Sequence, residues 1–105
     1  MMRLERRQLL DRNLIDLSRE MDVDNVLLYL QSKGIFPDLV VDKVLVSEVK
    51  SSGSATAQRV AIVRAVKSRG DKAYDALFRA LLYARQSHLA ELLRPLLDES
   101  VLQTM

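Results

Sequence analysis

Apolar residues recur every three or four positions along most of the 105-residue chain, and this spacing constrains the fold more than any other feature. One clear set is Leu10, Leu14, Leu17 and Met21. Residues with this period lie on one face of an α-helix. Glycine interrupts the pattern at Gly34 and Gly70, and glycine adopts the left-handed conformation that ends a helix at little cost. The spacing therefore predicts a series of short amphipathic helices.

Six helices are predicted from this pattern. The first covers residues 3–21, and its adjacent apolar pairs indicate that it bends or buries two faces. The second follows an N-terminal cap at Asp22 and ends at Gly34. The third covers residues 39–49, where valine favours a strand but an i, i+3, i+4, i+8 stripe and the lack of a partner strand favour a helix. Residues 50–54 form the clearest loop.

The remaining three helices begin after residue 54. The fourth covers residues 55–69 and is capped by Ser54, the fifth is capped by Asp71, and the sixth by Ser87. Pro95 ends the sixth helix, because proline pushes the residue before it out of the helical conformation. We therefore predict a domain at residues 1–95, followed by a C-terminal tail or the start of a linker at residues 96–105.

The composition fits one compact all-α domain. The hydrophobic fraction is 49%, which is enough for a single core, and aliphatic residues must build it because aromatics make up only 5%. We predict an all-α, six-helix antiparallel bundle. The chain has no apolar run of membrane-spanning length, and its N-terminus lacks the continuous apolar stretch of a signal peptide. These features predict a cytoplasmic protein.

The sequence offers little for catalysis. It contains no cysteine, so neither a cysteine nucleophile nor a cysteine-based zinc site is possible. His88 is the single histidine, and its position near a predicted helix start is typical of a surface residue. No glycine-rich phosphate loop is present. We predict no catalytic residue, metal or cofactor, and no enzymatic activity for this chain.

Charged residues are segregated along the chain. A predicted basic face on the first and fourth helices comprises Arg3, Arg7, Arg12, Arg59, Arg64 and Lys67. A predicted acidic face on the second and third helices comprises Asp24, Asp38, Asp42 and Glu48. Two interpretations are open at this point: the faces bind partners, or they are the ordinary solvated charges of a small helical domain.

Three stretches carry a family resemblance. The most specific is residues 62–77, where Arg69 and Gly70 form a turn that is followed shortly by the aromatic Tyr74. Residues 89–93 and residues 6–13 add to it, in the same order and spacing. Together they resemble the caspase recruitment domain of the death-fold superfamily. They look most like the N-terminal prodomain of an apoptotic initiator caspase of the nematode cell-death type.

The resemblance implies a homotypic interaction domain. In this family the basic face of one domain meets the acidic face of another, and such head-to-tail contacts can propagate into helical assemblies. The implied partner is the caspase recruitment domain of an apoptosome-type adaptor, and the implied role is to bring attached protease domains together. A non-enzymatic adaptor or regulator with the same domain is the alternative. A small nucleic-acid-binding protein is disfavoured by the net charge of only +2 and the few aromatic residues.

Overall fold

The computed structural model describes residues 2–36 and 54–103, and within them it contains helices and turns but no strand. The elements are α1 Leu4–Arg12, α2 Leu14–Glu20, α3 Val23–Ser32, α4 Ala55–Lys67, α5 Asp71–Tyr83, α6 Ser87–Leu93, a 3₁₀ turn at Arg94–Leu96, and α7 Glu99–Gln103. The predicted all-α class is confirmed. The predicted second, fourth, fifth and sixth helices correspond to α3, α4, α5 and α6. The predicted third helix, at residues 39–49, lies outside the described residues.

The predicted first helix is divided into α1 and α2 at Asn13. The Asn13 side-chain amide donates a hydrogen bond of 2.9 Å to the carbonyl oxygen of Leu9. Side-chain bonds of this kind compete with the helical backbone and favour a break. The backbone N–H of Asn13 donates a hydrogen bond of 3.1 Å to the Leu9 carbonyl at the end of α1, and the Asn13 carbonyl accepts one of 3.0 Å from Leu17 at the start of α2. The prediction of one helix was therefore wrong in detail, because Asn13, with φ −102° and ψ 12°, separates two helices.

Two of the four predicted N-terminal caps are confirmed. Asp22 Oδ1 accepts a hydrogen bond of 3.2 Å from the backbone of Asn25 at the start of α3. Ser54 Oγ accepts one of 3.1 Å from the backbone of Ala57 at the start of α4. Each side chain satisfies a backbone N–H that has no partner within its own helix.

The other two predicted caps were wrong by one residue. Asp71 and Ser87 are the first helical residues of α5 and α6, and the capping positions are held by Gly70 and Gln86. Gly70 has φ 91° and ψ −174°, a conformation that essentially only glycine adopts. This allows the chain to leave α4 and enter α5 at once.

Gln86 joins the start of α6 to the turn between α2 and α3. Its side-chain oxygen accepts a hydrogen bond of 2.7 Å from the backbone of Asp22. Its side-chain nitrogen donates one of 2.6 Å to the carbonyl oxygen of Glu20. The capping position is therefore set by a tertiary contact, which holds the N-terminal and C-terminal halves of the domain together.

The core is centred on α5. Seven of its 13 residues are buried, and it packs against α3 and α6, while α2 packs against α4. The largest fully buried apolar side chains are Tyr74, Phe36, Phe78, Leu10, Leu17, Met21, Leu30, Ile62, Leu77 and Leu81. Burial of such side chains is worth about 1.5–3 kcal/mol each and provides most of the folding free energy.

The C-terminal segment packs back onto the bundle. Val101 in α7 is 9% exposed, and it lines a cavity of about 290 Å³ together with Tyr29 of α3 and Ala76 of α5. The predicted domain boundary at residue 95 stays a prediction. Within residues 2–36 and 54–103, each helix is too short or too polar to cross a membrane.

Candidate protein–protein interface

An ion pair between Lys67 and Asp11 joins the end of α4 to the end of α1. Arg64 lies one turn before Lys67 on α4, so both side chains lie on the same side of that helix. Arg7 lies one turn before Asp11 on α1, and Arg12 is the last residue of that helix. The ion pair therefore brings these residues into one region, which we call the basic surface: Arg7, Arg12, Arg64 and Lys67, around Asp11.

Part of this positive charge is available to a partner. Arg12 and Arg64 are exposed, and neither forms an ion pair within the described part of the chain. Arg7 is half-buried, and its Nε atom is itself buried without a hydrogen-bond partner among those residues, so this atom is not accessible to a partner. Lys67 is partly neutralised by Asp11. The structure therefore groups four of the six predicted basic residues, and the free charge is concentrated at Arg12 and Arg64.

Arg59 has a different environment from the rest of the predicted basic face. Its guanidinium Nε donates a hydrogen bond of 2.7 Å to the carbonyl oxygen of Met21, and Nη1 donates one of 3.3 Å to that of Ser18. These carbonyls belong to the C-terminal end of α2, where backbone acceptors lack helical partners and the helix dipole is negative. Arg59 therefore caps α2 from α4, a role that the sequence analysis missed.

Arg3 also makes contacts within the domain. Its guanidinium lies 3.5 Å from Asp71 and 3.2 Å from Asp98, and its backbone N–H donates a hydrogen bond of 3.0 Å to Asp71. These partners lie at the start of α5 and just before α7. Arg3 precedes the first residue of α1, so it is at the opposite end of that helix from Asp11 and Arg12. The structure does not bring Arg3 together with Arg64.

Beside Arg3, Arg6 is a buried cation that the sequence analysis did not single out. It is 1% exposed and lies over the ring of Tyr74, 4.5 Å from the ring centre. Its guanidinium donates hydrogen bonds of 3.2 and 3.1 Å to the backbone carbonyls of Leu96 and Asp71. Nη1 also lies 3.3 Å from the carboxylate of Asp75. Arg6 thus links α1, α5 and the C-terminal segment.

The groups around Arg6 have perturbed pKa values. The backbone N–H of Arg3, with the charges of Arg6 and Arg3, holds the pKa of Asp71 below its ordinary value. Burial outweighs the attraction of Arg6 and raises the pKa of Asp75. Burial also raises the pKa of Tyr74 to about 12, and its hydroxyl donates a hydrogen bond of 2.6 Å to the Leu93 carbonyl. These interactions hold the α1–α5–α6 junction together.

We expect Asp71 and Asp75 to have opposite effects on acid stability. Because the folded state lowers the pKa of Asp71, this residue stabilises the fold above about pH 4, and the contribution is lost as the pH falls further. Because the folded state raises the pKa of Asp75, protonation of Asp75 favours the fold on acidification. Urea unfolding from pH 7 to pH 2 should show a shallower acid loss of stability in Asp71→Asn and a steeper one in Asp75→Asn. Identical pH profiles for the two variants would contradict this expectation.

The acidic face can be placed only in part. Asp24 is exposed in the first turn of α3 and forms no ion pair within residues 2–36 and 54–103. Its neighbour Asp22 caps the same helix. The other predicted acidic residues, Asp38, Asp42 and Glu48, lie outside the described residues. The acidic face therefore stays a prediction at these three positions.

The described residues show neither a metal-binding cluster nor a buried histidine. They include no group of three or more histidine, aspartate or glutamate residues that could hold a metal ion. The imidazole of His88 is 59% exposed, and its Nε2 lies 3.7 Å from a Glu20 carboxylate oxygen. The features that remain are the exposed basic surface and the exposed Asp24 of α3.

The family-model match covers residues 7–96 and is to the caspase recruitment domain. The chain belongs to the caspase recruitment domain family. Domains of this family are non-catalytic and bind one another homotypically, so the predicted class of interaction domain is confirmed. Residues 62–77, on which the resemblance mainly depended, form the second half of α4, the turn at Gly70 and the first half of α5.

A curated relative of this caspase recruitment domain is "Cell death protein 3" from Caenorhabditis remanei. The two are 38% identical over 100 residues, which cover 91% of this chain. The chain spans 18% of the relative's length, so the comparison concerns one domain of a much longer protein. No solved structure matches the chain.

Proposed function

We propose that this domain recruits an initiator caspase to an apoptosome-type adaptor in the cytoplasm. The basic surface, through the unpaired charges of Arg12 and Arg64, binds the acidic face of the adaptor's own caspase recruitment domain. Recruitment brings several copies together and raises the local concentration of attached protease domains, which favours their association without any new catalytic contact. The same asymmetric contact between copies extends the complex into a helical assembly.

The unpaired charge at Arg64 carries this proposal. Arg64 is exposed on α4, beside Lys67, and forms no ion pair within the described residues, so its charge is not neutralised within the domain. Charges at the edge of an interface speed encounter and select partners. The likeness to a relative named for cell death supports the apoptotic setting.

Charge reversal at Arg64 tests the proposal. We expect Arg64→Glu to weaken binding to the caspase recruitment domain of a candidate adaptor about tenfold, because it places like charges opposite each other. The affinity of the wild-type domain should also fall as salt is raised from about 0.05 to 0.3 M, because the Debye length shortens. Biolayer interferometry with the immobilised adaptor domain measures both effects.

Arg85→Glu is the matched control. Arg85 is exposed in the turn between α5 and α6, and its side chain forms no ion pair in the described ranges. The two variants change the net charge by the same amount. A difference in their adaptor binding therefore shows that the position of the charge matters. The proposal fails if Arg64→Glu and Arg85→Glu bind the adaptor domain equally well while both retain the helical circular dichroism spectrum of the wild type.

A further inference from the structure

The ion pair between Asp11 of α1 and Lys67 of α4 neutralises one cation of the basic surface. The two side chains are 55% and 26% exposed, so both groups can be reached from solvent. Arg12 and Arg64, in contrast, are exposed and form no ion pair within the described part of the chain. Asp11 is therefore a carboxylate placed within a surface whose other charged residues are cations.

The position of Asp11 is not one that stabilises a helix. Asp11 lies in the last turn of α1, one residue before Arg12, which ends the helix. The C-terminal end of a helix carries a partial negative charge, so a carboxylate there is unfavourable. An ion pair whose two members are partly exposed also adds little to the free energy of folding. The main consequence of Asp11 is therefore the charge that it gives to the basic surface.

Asp11 competes with any acidic partner for the same ammonium group. The ammonium of lysine is a compact point charge, and that of Lys67 is in contact with the Asp11 carboxylate. A partner carboxylate that approaches Lys67 must displace Asp11 or lie beside it, and like charges side by side in an interface are costly. Arg64, one turn earlier on α4, keeps its charge in either case. The free domain therefore presents less positive charge than its four cations could supply.

We propose that Asp11 limits the affinity of the basic surface for its acidic partner by holding Lys67 in the free domain. This inference rests on the proposed function and names the residue that regulates the same surface. Arg12 and Arg64 attract the partner through their unpaired charges, whereas Lys67 contributes only when its pair with Asp11 is broken. One acidic side chain thus sets how tightly the domain is held, and it keeps recruitment reversible.

Asp11→Asn tests this inference, because asparagine keeps the size of the side chain and removes its charge. We expect the variant chain to bind the immobilised adaptor domain about fivefold more tightly than the wild type, since Lys67 is then unpaired and a repelling carboxylate is gone. The affinity should also fall more steeply as salt is raised, because one more free cation takes part. Biolayer interferometry over the salt range used for Arg64→Glu measures both effects.

Two control variants separate the position of Asp11 from net charge and from fold. Asp11→Glu keeps a carboxylate that can pair with Lys67, so its adaptor binding should match the wild type. Glu99→Gln removes the same negative charge at an exposed position in α7 and should leave adaptor binding unchanged. Urea unfolding followed by circular dichroism should give similar midpoints for all three variants, which shows that the change in binding does not arise from a change in stability.

The outcomes separate this inference from the proposed function. Asp11→Asn that binds the adaptor domain no more tightly than Glu99→Gln overturns the role of Asp11, and so does an equal gain in affinity in Asp11→Glu. In both cases, weaker binding of Arg64→Glu than of Arg85→Glu would still support the proposed function. Adaptor binding that does not depend on Arg64 overturns the proposed function and, with it, the inference on Asp11.

Discussion

Replacing Arg6 with methionine is expected to lower the free energy of unfolding by about 3 kcal/mol, the lower end of the range for breaking a buried ion pair. Methionine keeps the length and apolar stem of the side chain but removes its charge. The carboxylate of Asp75 would then lose its ion-pair partner, and the carbonyl oxygens of Leu96 and Asp71 would lose their hydrogen-bond donor. We expect the lower end of this range because the carboxylate of Asp71, which also forms an ion pair with Arg6, is 40% exposed and remains partly hydrated.

Urea unfolding followed by circular dichroism measures this effect, with Arg12→Met as the control. Arg12 is exposed, and its side chain has no ion pair with the rest of the described chain. Exposed substitutions of that kind usually change stability by less than about 0.5 kcal/mol. Equal stability of Arg6→Met and Arg12→Met would show that the buried cluster contributes no net free energy.

A double variant tests whether the Arg6 effect arises from its carboxylate partner. If Asp75 is costly mainly because Arg6 is missing, Asp75→Asn should restore part of the stability that Arg6→Met removes. Residues in contact show such coupling, whereas independent substitutions add. Strict additivity of the two changes would place the cost in the lost packing of Arg6 on the Tyr74 ring, 4.5 Å away.

The helices themselves could be predicted from the sequence, because their apolar stripes repeat over several turns. The predicted starts were correct at Asp22 and Ser54, where the capping side chain bonds a backbone three residues away. The start predicted at Ser87 was wrong, because the capping position is held by Gln86. The partners of Gln86 are Glu20 and Asp22, which are 66 and 64 residues away. Such contacts leave no local pattern in a single sequence.

The candidate interface shows the same limit. Charge counting identifies residues able to face solvent, but it does not identify which of them are neutralised within the fold. The partners of Lys67, Arg59 and Arg3 lie 56, 38 and 68 residues away. Only the structure separates the free charge of Arg64 from the cap provided by Arg59, because both residues lie on the same predicted basic helix.

Reversing the charge at Arg59 is therefore expected to damage the fold, and not only the interface. Arg59→Glu loses hydrogen bonds of 2.7 and 3.3 Å to the C-terminal carbonyls of α2. It also places a carboxylate at the negative end of that helix dipole. We expect the free energy of unfolding to fall by about 2 to 3 kcal/mol, because hydrogen bonds from charged groups are worth about 1.5–3 kcal/mol.

Arg64→Glu is the matched variant, since it makes the same charge change on the same helix without removing a hydrogen bond within the described residues. We expect its stability to stay within about 0.5 kcal/mol of the wild type while its adaptor binding weakens. The two arginines then separate fold from function: Arg59→Glu should unfold at lower urea, and Arg64→Glu should not. Equal unfolding midpoints would show that the Arg59 guanidinium does not stabilise α2, and a loss of binding in Arg59→Glu would then report a direct partner contact.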